Sequence, residues 1–328
     1  MEWSIRKIRI ELKYTWRISR NESVYKENFI VEARNGNFSG CGEIAPNIRY
    51  NETPETIRAA FELFTHSQAG LVESVDDLTL LLQKLKLPNA LRFGIESAYI
   101  HLQCKKQNKD IFEFLKLSNP GKVASCYTLP IMEVEDIEPF FLEHQLKRFQ
   151  YIKIKVSEEG AIEHLNGLHK ICKVPLLIDA NEAWKDVDSL INFFNKLKHL
   201  PVAFVEQPMP ANMTDEYVYL KQHVTLPLMA DESVLDQPDF DLLQQQFDGV
   251  NMKLMKAGGY LNGLRILNEA RKRNMLTMVG CMVETTLGIS SAWSVCANTN
   301  YVDLDGCLII ANEPFHLLRE ENGSFSQN

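Results

Sequence analysis

The chain has 328 residues, 45% hydrophobic and 24% charged, with 35 Lys and Arg against 43 Asp and Glu for a net charge of −8. No basic block offers a footprint for nucleic acid, and no apolar stretch is long enough to span a membrane. The seven cysteines are odd in number and lack C-x-x-C pairing, as expected of reduced thiols in a cytoplasmic enzyme, and Met1-Glu-Trp-Ser-Ile-Arg6 has no signal-peptide apolar core.

Residues 1 to about 45 read as strands. Trp3, Ile5, Ile8, Ile10 and Leu12 roughly alternate, and Phe29-Ile30-Val31 precedes a turn at Asn35-Gly36-Asn37. From about 53 to 118 the pattern is helical, with one helix opened by Thr53 and Glu55 and another expected from Asn89 to Gln107. Strands followed by helices predict a small α+β domain over residues 1–120. From about 124 to 305 the chain alternates strand and helix. Eight strands are expected to end near Pro130, Lys155, Asp179, Glu206, Asp231, Lys253, Cys281 and Asp305. Between the second and third, Ser157 is expected to cap a helix in which Ile162, Leu165, Leu168 and Ile171 recur every three residues. Eight such units close most economically as a TIM-type (β/α)8 barrel over 121–310, leaving a short tail at 311–328. A doubly wound sheet is the alternative, but no Gly-rich phosphate loop follows the first strand.

Asp179, Glu206 and Asp231 would then project from three adjacent strand ends toward one point, where active sites of such barrels lie. Three carboxylates there repel unless a cation joins them, and oxygen-only ligands favour a hard ion such as Mg²⁺. The plain alternative, one helix cap per carboxylate, is common for any one residue but not for three in register between lysines. Lys153 and Lys155, two apart on one strand, would both face the barrel interior, with Lys253 roughly across its mouth. Lysines on two sides of a bound cation suit removing a proton from one face of a carbon and returning it to the other. A base near neutrality needs its pKa lowered to about 7–8, for which Lys153 or the metal would serve. The alternative is a set of exposed lysines with their heads in water. Lys256 is expected in the loop three residues past the strand end.

The series Lys153-Ile-Lys155, Asp179-Ala-Asn181, Glu206-Gln-Pro208, Asp231-Glu-Ser233 and Lys253-Leu-Met-Lys-Ala-Gly-Gly259 resembles the enolase superfamily, muconate-lactonising subgroup, over nearly the whole chain. The resemblance implies a (β/α)8 or (β/α)7β barrel under an N-terminal α+β capping domain, with the tail at 311–328 returning toward that cap. It implies one Mg²⁺ per subunit held by Asp179, Glu206 and Asp231, Lys155 and Lys253 as the acid/base pair, and Lys153 stabilising the substrate carboxylate. The chemistry implied is proton abstraction beside a carboxylate through an enediolate.

Within that subgroup the last strand, Tyr301-Val-Asp303-Leu-Asp305-Gly306, carries two aspartates that can both face the cavity while Leu304 packs outward. A free ammonium would want such a pair. The Asp-x-Asp is similar to the pattern marking dipeptide epimerases, whose substrate-contacting positions Thr128 and Cys281-Met282 match here. This implies inversion at the second residue of a dipeptide, with L-Ala-D/L-Glu from cell-wall peptide turnover as leading substrate. An o-succinylbenzoate synthase or muconate-type cycloisomerase is the alternative, and a non-catalytic metal-binding barrel the alternative of another class. Arg20 and Arg49 are the candidates to pair with an acidic substrate side chain, each with a solvated role as its alternative. Oligomeric state is left open, a homo-oligomer included.

Overall fold

The computed structural model describes residues 1–18 and 21–328. The alternating N-terminal segment forms a meander of β1 (Glu2–Ile18), β2 (Asn21–Asn35) and β3 (Phe38–Ile44), antiparallel throughout, with Gly36 at φ 58° in the second turn. One face of this sheet is covered by the helix Asn89–Gln107, as the periodicity predicts. Gly40 and Gly42 make that contact close: a Cβ at either would stand 2.2 or 2.1 Å from the Ala98 or Gly94 carbonyl oxygen. Thr53 caps the helix Pro54–Thr65 through a reciprocal capping box with Thr56.

After a short β4 (Val123–Ala124) come eight parallel strands, β5 (Tyr127–Leu129), β6 (Ile152–Lys155), β7 (Leu176–Asp179), β8 (Val202–Glu206), β9 (Leu228–Ala230), β10 (Gly249–Lys253), β11 (Leu276–Gly280) and β12 (Tyr301–Asp303). They pair in chain order, and Cys126 N–H donates to Val302 O at 3.0 Å, drawing the first and last together. The fold is thus an α/β barrel with an antiparallel cap. Pairing puts Lys155 beside Asp179 and Asp179 beside Glu206, and likewise Lys253, Gly280 and Asp303 in one row. Glu206 in turn pairs with Met229, so Asp231 stands two residues beyond the first row, and Lys253 belongs to the second. Beneath them Cys126, Leu177, Phe204, Met229 and Met278 fill the interior as a dry layer.

Three expectations shift. The helix after β6 is Ala161–Ile171 and starts behind Gly160 at φ 75°; Ser157 does not cap it, because its hydroxyl donates to Glu159 O at 2.8 Å. β12 ends at Asp303, and Asp305 opens a 3-10 turn, with Leu304 fully buried. Near the C-terminus, residues 309–311 bond to β1, through Lys13 N to Ile309 O and Ala311 N to Glu11 O. The hairpin beyond them, β13 (Leu318–Glu321) and β14 (Ser324–Gln327), pairs with β4, so this part of the tail lies against the entry to the barrel.

Candidate active site

Ion pairing organises the mouth of the barrel. Lys153, 2% exposed, places Nζ at 3.0 Å from Asp179 Oδ2 and 2.8 Å from both Glu206 Oε2 and Asp303 Oδ2. Lys155 reaches Asp179 Oδ2 at 2.8 Å and Asn181 Oδ1 at 2.9 Å. Lys253 sits four strands round from Lys155 in the eight-stranded order, with Nζ 2.9 Å from Asp231 Oδ2. The two lysines therefore approach from opposite sides of the barrel.

Burial strips water from these charges, and partners decide which stay ionised. It pushes Asp179 and Asp231 upward, but the ammonium groups of Lys153 and Lys155 around the first, and of Lys253 and Lys256 around the second, outweigh it and hold both well below the usual carboxylate range. At Glu206 burial wins, and its pKa is pushed up to about 7. Burial lowers the pKa of Lys153 and of Lys253, but the facing carboxylates, Asp179 first for Lys153 and Asp231 for Lys253, outweigh it and raise both above the ordinary lysine value. Lys256 is not a loop residue. It lies buried in the short helix Leu254–Ala257 and bonds Asp231 Oδ1 and the Asp231 carbonyl, and burial lowers its pKa.

No three acidic, His or Cys side chains among the described residues converge as a ready metal cage, because the lysine ammonium groups stand between the carboxylates. The donor chemistry nevertheless fits a hard divalent ion. Asp179, Glu206 and Asp231 are all at most 3% exposed. Glu206 Oε2 is buried with only the Lys153 ion-pair contact and no aligned hydrogen bond among the described residues. Its other oxygen is fixed by Asn251 Nδ2 at 2.7 Å.

Asp303 and Asp305 both reach the cavity, from different geometries. Asp303 is held ionised against burial by Lys153 and accepts from the Cys126 thiol and, at 3.4 Å, from the Thr128 hydroxyl. Asp305 accepts from Thr128 N–H, and burial beside Asp303 pushes it up to about 7. Thr128, Cys281 and Met282 line the same cavity of about 510 Å³, a volume suited to a small molecule. Its roof is the cap: Trp16, whose ring centroid is 6.0 Å from Lys155 Nζ, with Ile18, Lys26 and Asn28. Arg49 also lines it, but its guanidinium is engaged bidentately by Glu182 at 2.8 and 2.8 Å. Arg20 lies outside the described residues.

Several polar residues have a role that the sequence did not assign them. Asn181 and Glu182, at φ 46° and 65°, turn the loop after β7 so that one meets Lys155 and the other Arg49. Gln207, at φ 36°, accepts from Asp231 N–H and Ser233 N–H and donates to Tyr217 and Ser233. Their signal was position: each follows a ladder carboxylate by one to three residues.

Known proteins share this arrangement. The family model described as enolase C-terminal domain-like matches residues 141–312, just over half of the chain. An L-Ala-D/L-amino acid epimerase of Flavobacterium johnsoniae is 31% identical over 95% of this chain and 93% of that protein. A hydrophobic dipeptide epimerase of a Flavobacteria bacterium is 30% identical over 96% of this chain and 92% of its own. Among solved structures, a dipeptide epimerase of Methylococcus capsulatus, complexed with Mg and L-Arg-D-Lys, superposes with a TM-score of 0.90 at 27% identity, covering 100% of this chain and 96% of that one. With its ladder of charged strand ends and relatives aligned along nearly its whole length, the chain belongs to the enolase superfamily, in the enolase C-terminal domain-like family.

Proposed function

We propose that this protein is a Mg²⁺-dependent dipeptide epimerase that inverts the α-carbon of the second residue by 1,1-proton transfer. One observation carries the reading: Lys155 and Lys253 approach from opposite sides of a cavity floored by buried carboxylates. The relatives' names, epimerases of L-Ala dipeptides and of hydrophobic dipeptides, support the substrate class. The division of labour follows the layers: residues 1–120 cap the cavity, 121–310 hold the acid/base groups, and 311–328 brace the barrel entry.

Lys155 takes the α-proton from one face, forming an N–H bond while the C–H electron pair delocalises onto the substrate carboxylate. Lys253, held as ammonium by Asp231, delivers a proton to the opposite face. The reverse direction exchanges the two roles. Lys153 carries positive charge toward the place where the dianionic enediolate develops. Mg²⁺, with Asp179, Glu206 and Asp231 as its ligands, would supply divalent charge against that enediolate and take over from the lysines as counter-charge to these carboxylates. Asp303 and Asp305 receive the substrate ammonium, a role that Asp305, crowded by Asp303, fills with electrostatic relief. Seven free cysteines support a reducing, cytoplasmic setting, and cell-wall peptide turnover is the process in which L-Ala-D/L-Glu would arise.

The test is chiral chromatography of L-Ala-L-Glu, L-Ala-L-Gln and a wider dipeptide set after incubation with enzyme and Mg²⁺. Appearance of the L,D product, and of no product altered at the first residue, is expected. Failure to epimerise any dipeptide contradicts the reading.

A further inference from the structure

The roof of the cavity contains a cation with no counter-charge among the described residues. Of the cavity-lining cations that the structure describes, Lys153, Lys155, Lys253 and Arg49 are each bound to a carboxylate at 2.8–3.0 Å. Lys26 lines the same space, yet no hydrogen bond or ion pair holds its ammonium among the described residues. Its position is built by the sheet. Lys26 pairs with Ile10 in the register of β1 and β2, and Asn28, two residues on and so on the same face, donates to Glu43 at 2.8 Å and to Val283 O at 3.0 Å. Val283 belongs to the loop after β11, so this face of β2 looks down onto the barrel mouth. Lys26 is half-buried, and burial alone lowers its pKa, with no facing carboxylate among the described residues to offset it.

A half-buried ammonium without a partner is stabilised by any anion that reaches it. A dipeptide brings two obligatory charges, and the barrel answers both: its ammonium falls to Asp303 and Asp305, its carboxylate to Lys153 and the ion that Asp179, Glu206 and Asp231 would hold. What remains to face the cap is the side chain at the inverted carbon. We propose that Lys26 is the specificity-determining residue for that side chain, pairing with a carboxylate there and so selecting an acidic second residue. The proposal rests on the epimerase reading above. It assigns to β2 of the cap the recognition that the sequence suggested for Arg20 and Arg49, the second of which is engaged by Glu182.

The experiment compares kcat/KM for L-Ala-L-Glu, L-Ala-L-Gln and L-Ala-L-Lys in the Mg²⁺-loaded wild type, Lys26→Met and Lys26→Glu. Ratios between substrates within one variant do not depend on how much of that variant folds. The wild type should prefer Glu over Gln at least tenfold, chiefly through KM. Lys26→Met should bring that ratio to within about threefold of unity, since truncating one partner of a desolvated charge pair removes the discrimination. Lys26→Glu should prefer Lys over Glu. A wild type that does not distinguish Glu from Gln, or a Glu-to-Gln ratio that Lys26→Met leaves unmoved, overturns the assignment while leaving the epimerase reading intact. A wild type that epimerises no dipeptide overturns both.

Discussion

Lys155 and Lys253 hold different carboxylates from opposite sides of the barrel, so their removal should have mirror-image rather than identical consequences. Lys155→Ala and Lys253→Ala should each lower kcat for epimerisation by at least ~10³, within the range for loss of a general acid or base. Each should keep α-proton exchange from one substrate enantiomer only, and opposite enantiomers should survive in the two variants. NMR in D₂O with L-Ala-L-Glu and L-Ala-D-Glu separately reads this directly. Exchange from both enantiomers in either variant would remove the two-base assignment. Lys256 plays a different part. Its buried ammonium bonds Asp231 from behind without itself lining the cavity, so Lys256→Met should act on stability. Leaving Asp231 with one of its two ammonium partners should lower stability by about 3 kcal/mol in urea unfolding. A change under about 1 kcal/mol, the range of a weak surface pair, would show that Lys253 alone suffices. The sequence placed Asp179, Glu206, Asp231 and the lysines at strand ends because periodicity and spacing survive in one dimension. It could not place Lys256 or Arg49, whose partners Asp231 and Glu182 lie 25 and 133 residues away. Nothing local in the chain marks such pairs.

Strands and helices meet at the cap–barrel junction through buried acids. Glu43, from β3, accepts from Thr285 N–H and Oγ–H and from Gly288 N–H at the start of the barrel helix Thr286–Ser294. Glu96, on the cap helix Asn89–Gln107, likewise accepts from Leu261 N–H at the start of Tyr260–Lys272. Helix N-termini favour such carboxylates, yet burial pushes Glu43 and Glu96 up to about 7, and Glu284, buried beside Glu43, up to about 8. A carboxyl raised in the folded state binds its proton more tightly there than in the unfolded chain. Its contribution is therefore full below the unfolded pKa of about 4.5 and is lost as pH rises toward the folded value. Glu284→Gln, which keeps an acceptor for Met282 N–H, should flatten the fall in unfolding temperature between about pH 5 and 8 and be more stable than wild type at pH 8. Parallel pH dependences in the two proteins would show that Glu284 does not carry this titration. Element boundaries were legible where capping chemistry is local, as at Thr53. They slipped at Ser157, where Gly160 in the left-handed region starts the helix instead.

At the scale of the whole molecule, an antiparallel sheet with its helices roofs a parallel barrel, and the cavity lies between them. The barrel was legible from eight repeats of one strand–helix length, and its cap from a change of pattern near residue 124. The contents of the roof were not, since Trp16, Lys26 and Asn28 meet the site only through pairing of β1 with β2 and docking on the loop after β11. A protein with this ladder should depend on a divalent ion in both activity and stability. Treatment with EDTA should abolish epimerisation, and Mg²⁺ should restore it. An ion that binds only the folded state adds about 2.7 kcal/mol at a hundredfold excess over its Kd, so calorimetry should show the unfolding temperature rising with Mg²⁺. Full activity after exhaustive chelation would contradict the assignment of Asp179, Glu206 and Asp231 as ligands. The central claim, proton transfer at the second α-carbon, is tested most directly by incubating enzyme, Mg²⁺ and a dipeptide library in D₂O and following isotope uptake by mass spectrometry. The account predicts one deuterium per molecule, at the second α-carbon, accumulating together with the epimer. No uptake into any dipeptide, alongside turnover of a muconate- or succinylbenzoate-type acid, would contradict it.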